Sequence, residues 1–284
     1  MLIKNSVFFL FLIGPISGKH TGLSDIRQDF AREMVNFLTL RKENPLSPVT
    51  TERRVIHLKA FLDYAVEREW LDKNRVQHFE YNPKSKKVVP LEYVEVMQLH
   101  AAGYESPKLN IIKDLFIFQC FTGFAYIELA NLTQENLIDH GGRGKCLMRN
   151  RQKSDATELV PVLPIVEEII ERYREHEVVL RTGSLLPVIS NQKYNDYLKP
   201  VGVLAGFARP LTTHLARHTF AHMMLNHFFL PLEDVSLMLG HRSIKTTHQY
   251  CQVGKERLMK SMQMVQGQMD KVIEKVPLLT NRAS

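Results

Sequence analysis

Two stretches near the C-terminus decide the reading of this chain: residues 213–227, THLARHTFAHMMLNH, and residues 239–250, LGHRSIKTTHQY. The first places His214, His218 and His222 four residues apart, so a helix would carry all three on one side, with Arg217 one turn after His214. The second offers His241 after a glycine and Tyr250 nine residues later. Three chemistries are open. The histidines can sit satisfied at the edges of an amphipathic helix. His214 and His218 have the i, i+4 spacing of zinc hydrolases, but the catalytic glutamate that such a motif needs after its first histidine is replaced by Leu215. The third is phosphoryl transfer, in which negative charge on non-bridging oxygens suits an arginine fork and histidine donors, and a tyrosine hydroxyl serves as in-line nucleophile.

The rest of the chain is compatible with a polyanionic partner without demanding one. It has 284 residues, 44% hydrophobic and 24% charged, the mix of an ordinary folded protein with room for two domains. Collagen-like, low-complexity and membrane-bundle classes are excluded. Lys and Arg exceed Asp and Glu by 37 to 30, a net charge of +7 with a basic excess on both sides of residue 85. Three cysteines, Cys120, Cys146 and Cys251, show no CxxC pairing and argue against a disulfide framework or a Cys-rich zinc site. A reduced, cytoplasmic protein is expected. Residues 1–18, MLIKNSVFFLFLIGPISG, have the outline of a signal peptide, but their apolar run of about ten residues is too short to span a bilayer. Ile16–Gly18 is also a poor cleavage site.

Apolar periodicity predicts a mostly helical chain. Ser24 is the expected N-cap of a helix carrying Ile26, Phe30, Met34 and Leu38, ended by Pro45 and Pro48. Thr50 is expected to open a second helix with Val55, Leu58, Phe61, Leu62 and Ala65 on one side and Arg53, Arg54 and Lys59 among its basic residues. Residues 81–90 form a basic linker with Lys84, Lys86 and Lys87, and these six cations are candidate phosphate contacts. Helices then follow over 91–103, 110–121 and from Gly123. Residues 136–163, with glycine turns and short apolar pieces, predict a small sheet or hairpin. Further helices are expected over 166–176, 191–207, 213–228, 232–240 and 244–253, with a last one over 254–276. In that last helix Leu258, Met262, Val265, Met269, Val272 and Val276 make an apolar seam, for which packing on its own domain is the default reading and docking on a neighbouring copy of the chain the alternative.

His214-Leu215-Ala216-Arg217, then Leu239-Gly240-His241 and Tyr250, in that order and spacing, resemble the C-terminal signature of the tyrosine recombinases, the phage-integrase family. The resemblance covers roughly residues 90–252 well and residues 24–71 more weakly. It implies a mainly α fold with a small β-sheet (α+β): a catalytic domain over 91–284, preceded by a small helical SAM-like core-binding domain over 21–80. It implies that Tyr250 attacks the scissile phosphate, that Arg217, His214 and His241 hold its oxygens, and that His214 also assists proton transfer. Arg151-Gln152-Lys153-Ser154 matches the family's hairpin lysine, which makes Lys153 the general acid. The segment Thr122-Gly123-Phe124-Ala125-Tyr126-Ile127-Glu128-Leu129 keeps the supporting Glu128 but has Ala125 where the family's first catalytic arginine stands. Arg149 and Arg151 are candidate substitute cations, and a DNA-binding relative that has lost catalysis is the alternative reading. Integrases of conjugative elements in Bacteroidetes-type bacteria show similar replacements. No cofactor or metal is implied; the partners are double-stranded DNA, further copies of the chain in a DNA-bound tetramer, and accessory or excision proteins. His218, His222 and His227 match no catalytic position and are expected to be structural. On this resemblance residues 1–20 are a remnant or mis-set start of the first domain.

Overall fold

A computed structural model describes residues 22–83, 88–150, 157–251 and 255–273. The chain divides into two compact units between Lys87 and Val88.

The first unit is a helical pair, α1 (Gln28–Leu40) and α2 (Pro48–Glu67). Ile26, Phe30, Met34 and Leu38 meet Val55, Leu58 and Leu62 in one buried cluster that Val76 closes. Both predicted starts shift. Ser24 does not cap α1: Leu23–Asp25 forms a separate tight turn closed by Gly22 N–H donating to Asp25 Oδ2 at 3.0 Å, and Ile26 is extended. The helix begins only after Arg27. Burying Ile26 in the core holds this kink. Pro48 opens α2 rather than ending α1, because a first-turn proline gives up no helical hydrogen bond, and Ser47 caps it by accepting from Thr50 N–H at 3.2 Å.

The second unit is built around α4 (Pro107–Thr122), preceded by α3 (Tyr93–Ala101) and followed by the short α5 (Tyr126–Ala130). From Ile112 to Thr122 every residue of α4 is buried, which is what a helix apolar all round requires. Its polar members are matched. Lys113 donates to the Ala102 carbonyl at 2.7 Å, and Asp114 receives Arg172 and the Tyr173 hydroxyl at 2.6 and 2.7 Å. Gln119 accepts from the Tyr194 hydroxyl and donates to the Phe124 carbonyl, both at 2.9 Å. That last pair fixes the chain reversal after α4.

The predicted sheet is three antiparallel strands, β1 (Leu137–Asp139), β2 (Lys145–Asn150) and β3 (Thr157–Pro161), in that spatial order. Leu147 pairs with both Leu137 and Val160, and the buried Leu147 and Val160 turn one face to the core. Then come α6 (Pro164–Tyr173), α7 (Glu177–Thr182), α8 (Asn191–Leu204), α9 (Thr213–His222), α10 (Leu232–Met238), α11 (Ile244–His248) and α12 (Lys255–Ile273). α9 lies along α4, and α10 packs on β3.

Two expectations are corrected at the C-terminal end. The helix expected over 244–253 stops at His248, because the N–H groups of Tyr250 and Cys251 go to carbonyls three residues back. In α12 the described seam residues Leu258, Met262, Val265 and Met269 are 45–62% exposed, so they do not pack on their own unit. No helix among the described residues is long and apolar enough to cross a membrane.

Candidate active site

Arg217 is the hub of the second unit's motif residues. It lies mid-way along α9 with its side chain mostly buried. One terminal nitrogen donates to the Gly123 carbonyl at 2.7 Å and lies 3.4 Å from Glu128 Oε2; the other donates to the Leu239 carbonyl. A single guanidinium thus ties together the end of α4, the start of α5 and the end of α10. A planar fork with five donors in fixed directions can satisfy three such separated acceptors at once.

Glu128 is 4% exposed and also accepts the Ala125 N–H at 2.6 Å, an N-terminal cap for α5. Ala125 is partly exposed at the N-cap of that helix. The motif therefore keeps its frame, Gly123 and Glu128 around Arg217, with a methyl group where the resemblance expects a second guanidinium. Gly123 is required at its place by φ of +73°.

Two motif residues, His214 and Tyr250, gather with His218 on the same side of α9. His214 and His218 face each other, Nε2 to Nε2 at 2.8 Å, and the His218 ring meets the Tyr250 ring edge-on with centroids 5.0 Å apart. Burial, helped by His214 and Arg217, pushes the His218 imidazole down to about 4, so it is neutral near pH 7. Burial also raises the Tyr250 phenol, while Arg217 and a hydrogen bond with Gln249 pull it down. Tyr250 thus holds its proton at rest, with a neutral histidine beside it.

His241 follows Gly240 and is held from behind: its Nδ1 lies 2.8 Å from the hydroxyl of the fully buried Thr247. The Thr247 carbonyl accepts the Tyr250 N–H at 3.0 Å, so one threonine sets both His241 and the tyrosine turn. His214 and His218 hydrogen-bond each other, and among the described residues no group of three or more His, Cys, Asp or Glu side chains suits a metal ion.

The structure thus brings together His214, Arg217, Glu128, His241 and Tyr250. Lys153 and Arg151, between β2 and β3, lie outside the described residues, as do Lys84, Lys86 and Lys87; Arg149 is on β2 with its side chain outside that description. On α2, Arg53 is exposed, and Arg54 and Lys59 are partly so. Two contributors were not legible in the sequence. His218, expected to be merely structural, touches the Tyr250 ring. Asn226 donates to the Tyr250 carbonyl at 2.9 Å from a widened turn, Met223–His227, that continues α9.

Comparison with known proteins agrees with this frame. A sequence model described as "Phage integrase family" matches residues 91–257, and one described as "Phage integrase SAM-like domain" matches residues 6–83. Tyrosine recombinase XerD of Listeria monocytogenes is 24% identical over 80% of this chain and 79% of its own. XerD of Yersinia pestis is 27% identical over 83% of this chain and 81% of its own. A crystal structure of a lambda integrase (75–356) dimer bound to a COC′ core site superposes with a TM-score of 0.65 at 15% identity, covering 83% of each chain, a likeness of fold. With the integrase model alone spanning more than half of its length, the chain belongs to the phage integrase family, the tyrosine recombinases.

Proposed function

We propose that this protein is a site-specific DNA recombinase that breaks and rejoins strands through a 3′-phosphotyrosyl intermediate. The observation that carries the reading is the convergence of Tyr250, the His214–His218 pair and the Glu128-held Arg217 on one side of α9. Arg217 and His214 bind non-bridging oxygens of the scissile phosphate, where the transition state concentrates charge. With the Thr247 hydroxyl donating to Nδ1, His241 presents Nε2–H to a third oxygen position. The Tyr250 hydroxyl attacks phosphorus and gives its proton to the neutral imidazole pair. The bond to the 5′-oxygen breaks, and Lys153 supplies that oxygen with a proton. Because the tyrosyl ester keeps a phosphodiester's bond energy, a 5′-hydroxyl reverses the step and rejoins the strand.

Double-stranded DNA is the substrate. The first unit contributes phosphate contacts from Arg53, Arg54, Lys59, Lys84, Lys86 and Lys87, and the second carries the chemistry. The exposed apolar seam of α12 supports assembly with further copies on DNA, up to a tetramer. Ala125 favours kinship with integrases of Bacteroidetes-type conjugative elements, with Arg149 or Arg151 replacing the missing cation. The same alanine motivates the second reading, a DNA-binding relative without catalysis. A nicked duplex, which lets the short 5′-fragment diffuse away and traps the covalent product, separates the two. The enzyme gives a protein–DNA adduct resistant to denaturant and lost in Tyr250→Phe; the inactive relative binds the duplex and gives none.

A further inference from the structure

The backbone of Tyr250 is held by a chain of side chains that the catalytic motif does not contain. Asn226 Nδ2 lies 2.9 Å from the Tyr250 carbonyl oxygen and 3.1 Å from His222 Nδ1, and His222 Nε2 lies 3.1 Å from Glu92 Oε1. Hydrogen-bond logic fixes every proton in this chain. A carbonyl only accepts, so the Asn226 amide must point its NH2 group at Tyr250. The second hydrogen of that NH2 group meets His222 Nδ1, which must therefore be the unprotonated ring nitrogen. The proton then sits on Nε2 and donates to the Glu92 carboxylate. The arrangement is self-consistent for one tautomer and for one amide orientation.

Local structure explains how Asn226 comes to be there. α9 is regular to His222 and widens over Met223–His227, ending with Phe228 N–H donating to the Met223 carbonyl. Such widened turns are rare and recur at functional sites. His222 is buried, Glu92 caps α3, and the Tyr250 turn is otherwise held from its own side by Thr247.

We propose that Asn226 and His222 are positioning residues for the nucleophile: a latch from α3 and the end of α9 that holds the Tyr250 main chain, and so aims its hydroxyl. This rests on Tyr250 being the nucleophile. A misplacement of about 1 Å at a reacting atom costs on the order of 100-fold in rate, so a released latch slows strand cleavage while leaving phosphate contacts intact.

The test uses the full chain and three variants. Asn226→Asp has the same shape but no hydrogens to donate. His222→Gln keeps an acceptor for the Asn226 amide, and His222→Leu removes it. Tyr250-Cys251 is the sole Tyr-Cys pair in the sequence, so carbonyl-13C tyrosine with 15N cysteine isolates the Tyr250 carbonyl resonance without DNA. Cleavage is read as adduct formation at saturating protein on nicked duplexes randomised around the nick, and binding as retention of the same pool. We expect Asn226→Asp to shift the resonance, bind DNA within about twofold of wild type and cleave about 10- to 100-fold more slowly. His222→Leu behaves likewise, and His222→Gln is restored to within about threefold. An unmoved resonance in Asn226→Asp overturns the latch, as does cleavage at the wild-type rate or a parallel loss of binding and cleavage. A shifted resonance with no adduct from the wild-type protein overturns the nucleophile assignment and the latch's catalytic role with it.

Discussion

Replacing Gly123 by alanine tests the packing that frames Arg217. Gly123 sits at φ +73°, and a methyl group there would lie 2.6 and 2.9 Å from two ring carbons of Phe220 and 3.0 Å from Leu239 Cδ2. Phe220 is 1% exposed and Leu239 is fully buried, so neither can swing into solvent. The left-handed backbone costs alanine about 1 kcal/mol relative to glycine, and overpacking of this kind about 1–3 kcal/mol. A loss of about 2–4 kcal/mol follows, or roughly 5–15 °C in Tm for a unit of this size. Urea denaturation measures it directly. The Gly123 carbonyl is also an acceptor for Arg217 at 2.7 Å, so the surviving folded protein should form adduct at least about tenfold more slowly. Phe220→Leu removes the ring edge, and the double variant Gly123→Ala/Phe220→Leu should recover about 1–2 kcal/mol relative to additivity. A Gly123→Ala protein within about 0.5 kcal/mol of wild type, or strict additivity with Phe220→Leu, would mean that Phe220 and Leu239 do not crowd this position.

Three other outcomes are expected. The His218 imidazole is pushed down to about 4, below its unfolded value, so the unfolded chain binds the proton first as pH falls. Its contribution to stability is complete above about pH 6.5 and is lost progressively toward pH 4; allowing for partial exposure it amounts to about 1–2 kcal/mol. His218→Gln should flatten that part of the urea-midpoint profile between pH 7 and 4.5. Arg217→Gln removes a cation from the buried Glu128 and should lower stability by about 1–3 kcal/mol while reducing adduct formation more than 100-fold, as denaturation and nicked-duplex trapping would show. Ala125→Arg adds a cation at the start of α5, beside the Glu128 cap; with Arg149 or Arg151 already supplying the second cation, single-turnover trapping should stay within about threefold, and a rise of about tenfold or more would mean that the site lacks it.

Much of this was legible in the residues. The dense apolar pattern of residues 110–121 points to a buried helix, and the glycine turns and short apolar pieces of residues 136–163 point to a small sheet. The order of His214, Arg217, His241 and Tyr250 carried the family, and the proposed catalytic set follows from it. What escaped depends on tertiary partners. Ser24 looks like a cap in isolation, but burying Ile26 bends the chain behind it. Pro48 reads equally well as a stop or a start. Asn226 is an unremarkable residue in a helical stretch, and its role exists only because α9 widens beneath the tyrosine turn. The α12 seam has the spacing of a packed helix, and spacing cannot say that its described residues stay exposed on their own unit.

Above all, the proposed reaction requires that Tyr250 become covalently joined to DNA. The tryptic peptide of residues 246–255, TTHQYCQVGK, contains Tyr250 as its one tyrosine. Peptide mass spectrometry of the nuclease-trimmed adduct should place a 3′-phosphonucleotide on that residue, with none in Tyr250→Phe. A nucleotide mapped to any other residue, or an adduct that persists in Tyr250→Phe, would contradict the account.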